Sequence, residues 1–176
     1  MMTKLRLIIL SDLFGDRNSK WVKEYQEILE PKFEIQYYDV SELAGIHSTS
    51  LLESDIHNQF LNGGIDRAVT KLLQLETEKI VVLGFSIGGT IAWKASLQGL
   101  NSTHLFAVSS TRLRYEVEVP NCDVKLYFGE EDSNRPDLQW FFELNLIGEI
   151  MENHDHQLYK IKNIAFLVCD DIIKMV

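Results

Sequence analysis

The sequence predicts an α/β protein, built as a three-layer α/β/α sandwich around a parallel sheet of six strands. Six short apolar segments rich in β-branched residues alternate with longer segments in which apolar residues recur at helical spacing. Glycine and proline punctuate the boundaries between them. Strands that alternate with helices in this way are typical of a parallel sheet covered on both faces.

The strands are predicted from apolar runs of four to six residues bounded by polar or turn residues. The second of them alternates and then meets Asp39, and the third is the continuously apolar run Ile-Val-Val-Leu. In chain order the predicted strands are Leu5–Leu10, Phe33–Tyr38, Ile80–Leu83, Leu105–Val108, Val124–Phe128 and Ile147–Met151.

The helices between the strands are predicted from amphipathic periodicity and from stop signals. Pro31 ends the first helix, Gly99 is expected to end the third, and Pro136 to begin the fourth. The predicted helices are Ser19–Glu30, Asp55–Leu75, Gly89–Gln98, Pro136–Leu144 and Ile161–Met175. Gly63-Gly64 can divide the second helix, and Asp39 to Ser54 is expected to be a loop or a broken helix.

Length and composition predict one domain, residues 1–176, with an apolar share of 45% and a charged share of 24%. The net charge of −9 has the wrong sign for nucleic acid or an anionic membrane as partner, so we expect a small-molecule ligand. Oligomeric state is left open.

The two cysteines and the N-terminal segment bear on cofactors and location. Cys122 and Cys169 are far apart, match no metal or disulfide spacing, and are predicted to be buried thiols. We therefore expect no metal and no cofactor. The apolar run at the N-terminus is short and has no cleavage-site pattern, and no run is long enough to cross a bilayer. A cytoplasmic location is expected.

The segment after the third strand carries the main chemical signal, Gly84-Phe85-Ser86-Ile87-Gly88. A serine in a sharp turn from strand to helix presents its hydroxyl above the sheet, and the flanking glycines leave room for the crowded backbone. The backbone N–H groups at the start of the following helix would face whatever binds there. Neither a Gly-x-Gly-x-x-Gly pattern nor a Walker lysine is present.

Residues able to activate that serine follow later strands. The fifth strand is followed by Glu130, Glu131 and Asp132, and the sixth by His154 and His156. Because ligands of parallel α/β sheets bind at the carboxyl ends of the strands, we expect these residues to meet Ser86 at one edge. A serine nucleophile needs a base to take its proton and a carboxylate to orient that base. No role is assigned to His47, His57 or His104, which we expect to lie away from this edge.

These segments resemble the α/β-hydrolase family, in a trimmed, capless form, over nearly the whole chain. The resemblance implies a sheet order of 2-1-3-4-5-6 and identifies Ser86 with the family's nucleophile. Gly129-Glu130-Glu131-Asp132 is similar to its acid segment, which points to Asp132 and leaves the two glutamates as solvated carboxylates. Asn153-His154-Asp155-His156 is similar to its histidine loop, usually Gly-Gly-Asp-His, which favours His156, with His154 as the alternative base.

The family also implies two backbone donors for an oxyanion, here the N–H groups of Ile87 and Leu13. The chain departs from the family at Ser11-Asp12, where a His-Gly pair is common. An aspartate at this position would repel anionic substrates and leaves the second donor open.

The resemblance implies a serine hydrolase that cleaves a small-molecule ester, thioester or amide through an acyl-enzyme. The alternatives are a binding protein that keeps the scaffold without activity, and a flavodoxin-like nucleotide or phosphate binder with no base near Ser86. The pocket is expected to depend on how Leu51 to Gly64 packs over the edge, and without a cap it is expected to be open and shallow.

Overall fold

The computed structural model describes residues 4–47 and 52–176, and within them six strands form one parallel sheet in the order β2-β1-β3-β4-β5-β6. This is the predicted order. The strands are β1 (Leu5–Leu10), β2 (Phe33–Tyr38), β3 (Ile80–Phe85), β4 (Ser102–Val108), β5 (Asp123–Gly129) and β6 (Gly148–Met151). Every strand therefore ends at the same edge, where parallel α/β sheets place their ligands.

The helices cover both faces of the sheet, as the amphipathic periodicity predicts. They are α1 (Val22–Leu29), α2 (Val40–Leu43), α3 (Glu53–Gln59), α4 (Ile65–Leu75), α5 (Ile87–Leu97), α6 (Leu138–Glu143) and α7 (Lys162–Met175). Helices α1 and α7 pack on one face, and residues of α2 to α6 pack on the other. Within the described residues no helix combines the length and apolar character needed to cross a membrane.

The core consists of two layers separated by the sheet, and β3 shows how the sequence makes both. Val81 and Leu83 point to the face of α1 and α7, whereas Ile80 and Val82 point to the opposite face. Because successive side chains of a strand alternate between faces, a strand buried on both must be apolar throughout. All six residues of β3 are buried, which explains the uninterrupted apolar run.

The second predicted helix is the largest departure from the expected elements. It is three pieces: α3, a π-helical turn at Phe60–Gly64, and α4. Gly63 has φ +92°, a left-handed conformation that glycine adopts readily, so the chain turns where the glycine pair predicts a break.

Other boundaries differ by one to three residues. Helix α5 begins at Ile87, two residues before the prediction, and β4 begins at Ser102, three residues before it. Of the segment predicted to be a loop or broken helix, part is α2, capped by the Asp39 carboxylate, and residues 48–51 lie outside the described residues. Cys169 is buried as predicted, but Cys122 is only half-buried.

Candidate active site

Ser86 occupies the corner between β3 and α5 in a strained backbone conformation, with φ +51° and ψ −122°. A non-glycine residue with positive φ persists only when its surroundings hold it there. The flanking glycines allow the corner: a Cβ on Gly84 would lie 2.6 Å from the Cα of Gly89, and one on Gly88 would overlap the carbonyl oxygen of Ser11. The glycine spacing therefore reflects two close backbone approaches, as the sequence predicts.

The Ser86 hydroxyl contacts a histidine, and that histidine in turn contacts an aspartate. Nε2 of His156 is 3.0 Å from Oγ of Ser86, and Nδ1 of His156 is 2.9 Å from Oδ2 of Asp132. The Asp132 side chain is fully buried, and its Oδ1 accepts a hydrogen bond of 2.8 Å from the Asn134 N–H. The structure thus brings together three side chains that are remote in sequence.

The loops after β5 and β6 are held together by their backbones. The Glu131 N–H donates to the His154 carbonyl oxygen at 2.9 Å, and the Glu130 N–H donates to the Met151 carbonyl oxygen at the same distance. A side chain on Gly129 would overlap the carbonyl oxygens of the histidine loop. Gly129 therefore lets the acid loop and the histidine loop pack closely enough for Asp132 to reach His156.

The other candidates from the sequence lie elsewhere. Nδ1 of His154 is 2.7 Å from the Glu152 carbonyl oxygen of its own loop, and the His154 side chain does not line the cavity described below. Glu130 and Glu131 are exposed, as expected for solvated carboxylates. His47 is exposed and His104 lies within β4, where it pairs with Asp123.

His57 corrects one expectation, because it lies at the edge from which it was excluded. It lines the same cavity as Ser86, brought there by α3. Burial lowers the pKa of His57, and the nearby Arg112 and Arg114 lower it further against the opposing effect of Glu53. The ring is thus biased towards its neutral form. The one signal in the sequence is that His57 belongs to the segment Leu51 to Gly64, which is expected to pack over this edge.

Thr111 also lies at the candidate site, although no motif in the sequence points to it. Its Oγ1 lies 2.8 Å from Oγ of Ser86, its N–H donates to the Ser86 carbonyl oxygen, and its own carbonyl oxygen accepts from the Thr90 hydroxyl. The one available signal is that Ser109-Ser110-Thr111 follows β4 at the carboxyl edge. Thr111 therefore provides a second hydrogen-bond partner for the Ser86 hydroxyl, in addition to His156.

The loop after β1 lies against the start of α5 and supplies Leu13. Among the described residues, the N–H groups of Leu13 and Ile87 have no hydrogen-bond acceptor. Asp12, beside Leu13, is almost completely buried, and its Oδ2 accepts a hydrogen bond of 3.1 Å from the Tyr159 hydroxyl. Burial raises the pKa of Asp12, opposed by that hydrogen bond and by the nearby Lys160.

A cavity of about 460 Å³ opens onto the Ser86 hydroxyl. Its lining residues are Asp12, Leu13, Phe14, Glu53, Ser54, His57, Ser86, Ile87, Thr111, Asn134, His156, Gln157 and Tyr159. Helix α3 forms one wall, so the segment expected to shape the pocket does so from residue 53 onward. The lining is mixed, with three apolar side chains among polar and charged ones.

One group of potential metal ligands occurs among the described residues, formed by Asp16, Asp39 and Glu42. It lies outside the cavity lining, and the Asp39 carboxylate already accepts the N–H groups of Asp16 and Ser41. The Ser41 bond caps α2 and the Asp16 bond ties the loop after β1 to that cap, so the cluster is explained by local structure. We assign no metal to it.

No protein-family model and no curated protein matches the chain. Solved structures do match over nearly its full length. A proposed hydrolase of the alpha/beta superfamily from Xanthomonas campestris pv. campestris has a TM-score of 0.70 at 16% identity, covering 99% of this chain and 100% of that one. A proposed dienelactone hydrolase from Klebsiella pneumoniae subsp. pneumoniae has a TM-score of 0.74 at 11% identity, covering 99% and 88%.

Est1E from Butyrivibrio proteoclasticus is also similar, with a TM-score of 0.67 at 13% identity, covering 97% of this chain and 88% of Est1E. The order of the parallel strands, the glycine-flanked serine at the corner and the similarity over nearly the whole chain define the fold class. This chain has the α/β-hydrolase fold. Within that class it is a six-stranded form in which α3 forms one wall of the cavity beside Ser86.

Proposed function

We propose that this protein is a serine hydrolase that cleaves an ester, thioester or amide bond through an acyl-enzyme. The observation that carries the proposal is the unbroken chain of contacts from Oγ of Ser86 through both nitrogens of His156 to buried Asp132. A hydroxyl is a weak nucleophile at neutral pH. An imidazole that acts as general base and is oriented by a carboxylate activates it.

In the first half-reaction Oγ of Ser86 bonds to the carbonyl carbon of the substrate while its proton passes to Nε2 of His156. The carbonyl oxygen becomes an oxyanion, for which the N–H groups of Ile87 and Leu13 are the donors at hand. The proton then moves to the leaving group as its bond to carbon breaks. Water then attacks the acyl carbon and gives a proton to Nε2 of His156. That proton returns to Oγ of Ser86 as the bond between Oγ and the acyl carbon breaks and the acid leaves.

Asp132 is suited to orient His156 because its two oxygens have different partners. Oδ1 is occupied by the Asn134 N–H, so Oδ2 is left for Nδ1 of His156. An Nδ1–H donated to Asp132 leaves Nε2 as the acceptor for the serine proton. The pairing therefore selects the tautomer that a general base requires.

The direct test is labelling with a fluorophosphonate probe, which reacts with activated serines. We expect the wild-type protein to be labelled and Ser86→Ala to lose labelling completely. Ser54→Ala is the matched control, because Ser54 lines the same cavity but has no such contact with His156. A folded wild-type protein that stays unlabelled would contradict the proposal.

The substrate class is tested with p-nitrophenyl esters of increasing acyl length and with matched thioesters and anilides. A structure of Est1E contains ferulic acid, so an aromatic ester such as methyl ferulate belongs in the panel. Ser86→Ala should lower kcat by at least about 10⁴-fold for any substrate turned over.

The second candidate function is a binding protein that keeps the scaffold without activity. It is favoured by Asp12, which stands where a His-Gly pair is common in the family that the sequence resembles. The distances between Ser86, His156 and Asp132 support catalysis instead, and so they oppose a phosphate binder with no base near Ser86. Ligand binding without labelling or turnover would favour the binding protein.

A further inference from the structure

We propose that Asp12 and Tyr159 are positioning residues that hold the Leu13 N–H in place as an oxyanion donor. The inference rests on the proposed serine hydrolase and supplies the part of its site that the sequence leaves open. Neither side chain needs to touch the reacting atoms. Both act through the backbone of the loop that follows β1.

Asp12 fixes the loop on both sides of Leu13. Its Oδ1 accepts the Phe14 N–H at 3.1 Å, and its carbonyl oxygen accepts the Gly15 N–H at 3.2 Å and the Ser11 hydroxyl at 3.0 Å. The N–H groups of the two residues after Leu13 are thus satisfied inside the loop. The Leu13 N–H, which comes directly before them in the chain, is left without an acceptor among the described residues.

Tyr159 anchors that arrangement from across the site. Its hydroxyl donates to Oδ2 of Asp12 at 3.1 Å, and the side chain is only 3% exposed. The backbone of Tyr159 is itself fixed, because its carbonyl oxygen accepts the Tyr25 hydroxyl at 2.8 Å. Its ring packs against Trp21 and Phe85. A hydrogen bond between two buried partners constrains geometry better than one at the surface.

The position of Tyr159 in the chain links the two halves of the catalytic geometry. It lies three residues after His156, in the 3-10 helix Leu158–Lys160, and the two rings meet edge-on with centroids 6.2 Å apart. The segment that delivers the base therefore also holds the oxyanion loop. A shift of this segment would misplace both groups together.

The same pair reduces the electrostatic cost of an aspartate beside an oxyanion. A carboxylate at this place would oppose the negative charge that develops on the substrate. The Tyr159 hydroxyl offsets part of that charge through a hydrogen bond that lowers the pKa of Asp12, while burial, the larger effect, raises that pKa. Positioning, which an uncharged side chain could also provide, is thus the function that the environment favours.

The experiment compares Tyr159→Phe, Asp12→Ala and Asp12→Asn in the full chain, with kcat and KM measured on the best p-nitrophenyl ester. Tyr159→Phe and Asp12→Ala should lower kcat by about 10- to 100-fold with KM within about 3-fold, because the oxyanion forms only after binding. Asp12→Asn should keep kcat within about 3-fold, since its amide oxygen can still accept the Phe14 N–H and its NH₂ can donate to Tyr159.

Tyr127→Phe is the matched control. It also removes a buried tyrosine hydroxyl bonded to an aspartate, here Oδ2 of Asp171 at 2.8 Å, but at α7 and away from the cavity. It should leave kcat unchanged. A second readout is the affinity for a trifluoromethyl ketone, whose adduct carries an oxyanion; it should weaken in Tyr159→Phe in proportion to kcat/KM.

The outcomes separate this inference from the proposed function. An active wild type with an equally active Tyr159→Phe overturns the positioning role and leaves the hydrolase intact. Equal losses in Asp12→Asn and Asp12→Ala overturn it as well, because the charge would then be what matters. A wild type that neither reacts with the probe nor turns over any ester overturns both.

Discussion

At the scale of single residues, the corner at Ser86 depends on glycines because backbone atoms of other segments lie where a side chain would be. At Gly88 the neighbours are the carbonyl oxygens of Leu10 and Ser11 at the end of β1. This close approach joins the loop that carries Leu13 to the helix that begins at Ile87. A single methyl group at Gly88 would push apart the two segments that carry the proposed oxyanion donors.

We therefore expect Gly88→Ala to lose fluorophosphonate labelling almost entirely and to lower the free energy of unfolding by about 1–3 kcal/mol. The labelling rate and a urea titration measure the two effects. Gly45→Ala is the control: Gly45, unlike Gly88, has positive φ, at +63°, but an added Cβ meets no atom within 4 Å. It should cost about 1 kcal/mol and leave labelling intact. Unchanged labelling in Gly88→Ala would contradict this account of the corner.

A site residue can be predicted from the sequence when the residues that surround it in the structure are also its neighbours along the chain. Ser86 is identified because its strand, turn and helix are contiguous. Thr111 and His57 are missed because each reaches the cavity through a contact between distant segments. His156 is preferred to His154 only through the family resemblance, since the backbone of the loop decides which ring turns towards Ser86.

At the scale of elements, the strands are predicted well because a strand buried on both faces must be apolar over its whole length. The long second helix is predicted less well, because its amphipathic period continues through the turn at Phe60–Gly64. Only the pair Gly63-Gly64 indicates this turn in the sequence. The turn matters for function: it separates α4, which packs on the sheet, from α3, which forms a wall of the cavity.

The turn supplies a prediction about α3. Gly63→Ala places a methyl group at φ +92°, which should lower the free energy of unfolding by about 1–2 kcal/mol. It should also raise KM more than it lowers kcat, because α3 shapes the cavity but carries no group of the proposed proton path. Gly63→Asn is the control, since asparagine tolerates left-handed backbone better than other residues. Urea titration and steady-state kinetics are measured on both variants. Equal losses in Gly63→Ala and Gly63→Asn would contradict the claim that backbone strain at residue 63 causes them.

At the scale of the whole molecule, the site residues meet at one edge because all six strands of the sheet are parallel and end there. What composition cannot show is how the edges of the sheet are tied to the helices. One such tie is a partly buried polar cluster of Arg6, Tyr38 and Glu76. Both Glu76 carboxylate oxygens accept from the Arg6 guanidinium, at 2.7 and 2.8 Å, and the Tyr38 hydroxyl also donates to this carboxylate.

The Glu76 cluster joins β1, β2 and the end of α4, so it should make global stability depend on pH. Burial alone would raise the pKa of Glu76, but the hydrogen bonds from Arg6 and Tyr38 outweigh it and the pKa is lowered. A carboxyl whose pKa is lower in the folded than in the unfolded state stabilises the fold above its unfolded pKa. That stabilisation is lost as the pH falls through the folded pKa.

We expect Glu76→Gln to lower the free energy of unfolding by about 1–3 kcal/mol at pH 7, because one partner of a mostly buried ion pair is removed. The difference from wild type should be constant above about pH 5 and should shrink at more acid pH. Urea titrations of both proteins between pH 3.5 and pH 7 measure it. Glu34→Gln is the control, since the Glu34 side chain is 67% exposed and its pairing with Arg6 should contribute less than about 0.5 kcal/mol. A difference that stays constant to pH 3.5, or grows there, would show that the Glu76 charge does not tie the sheet to α4.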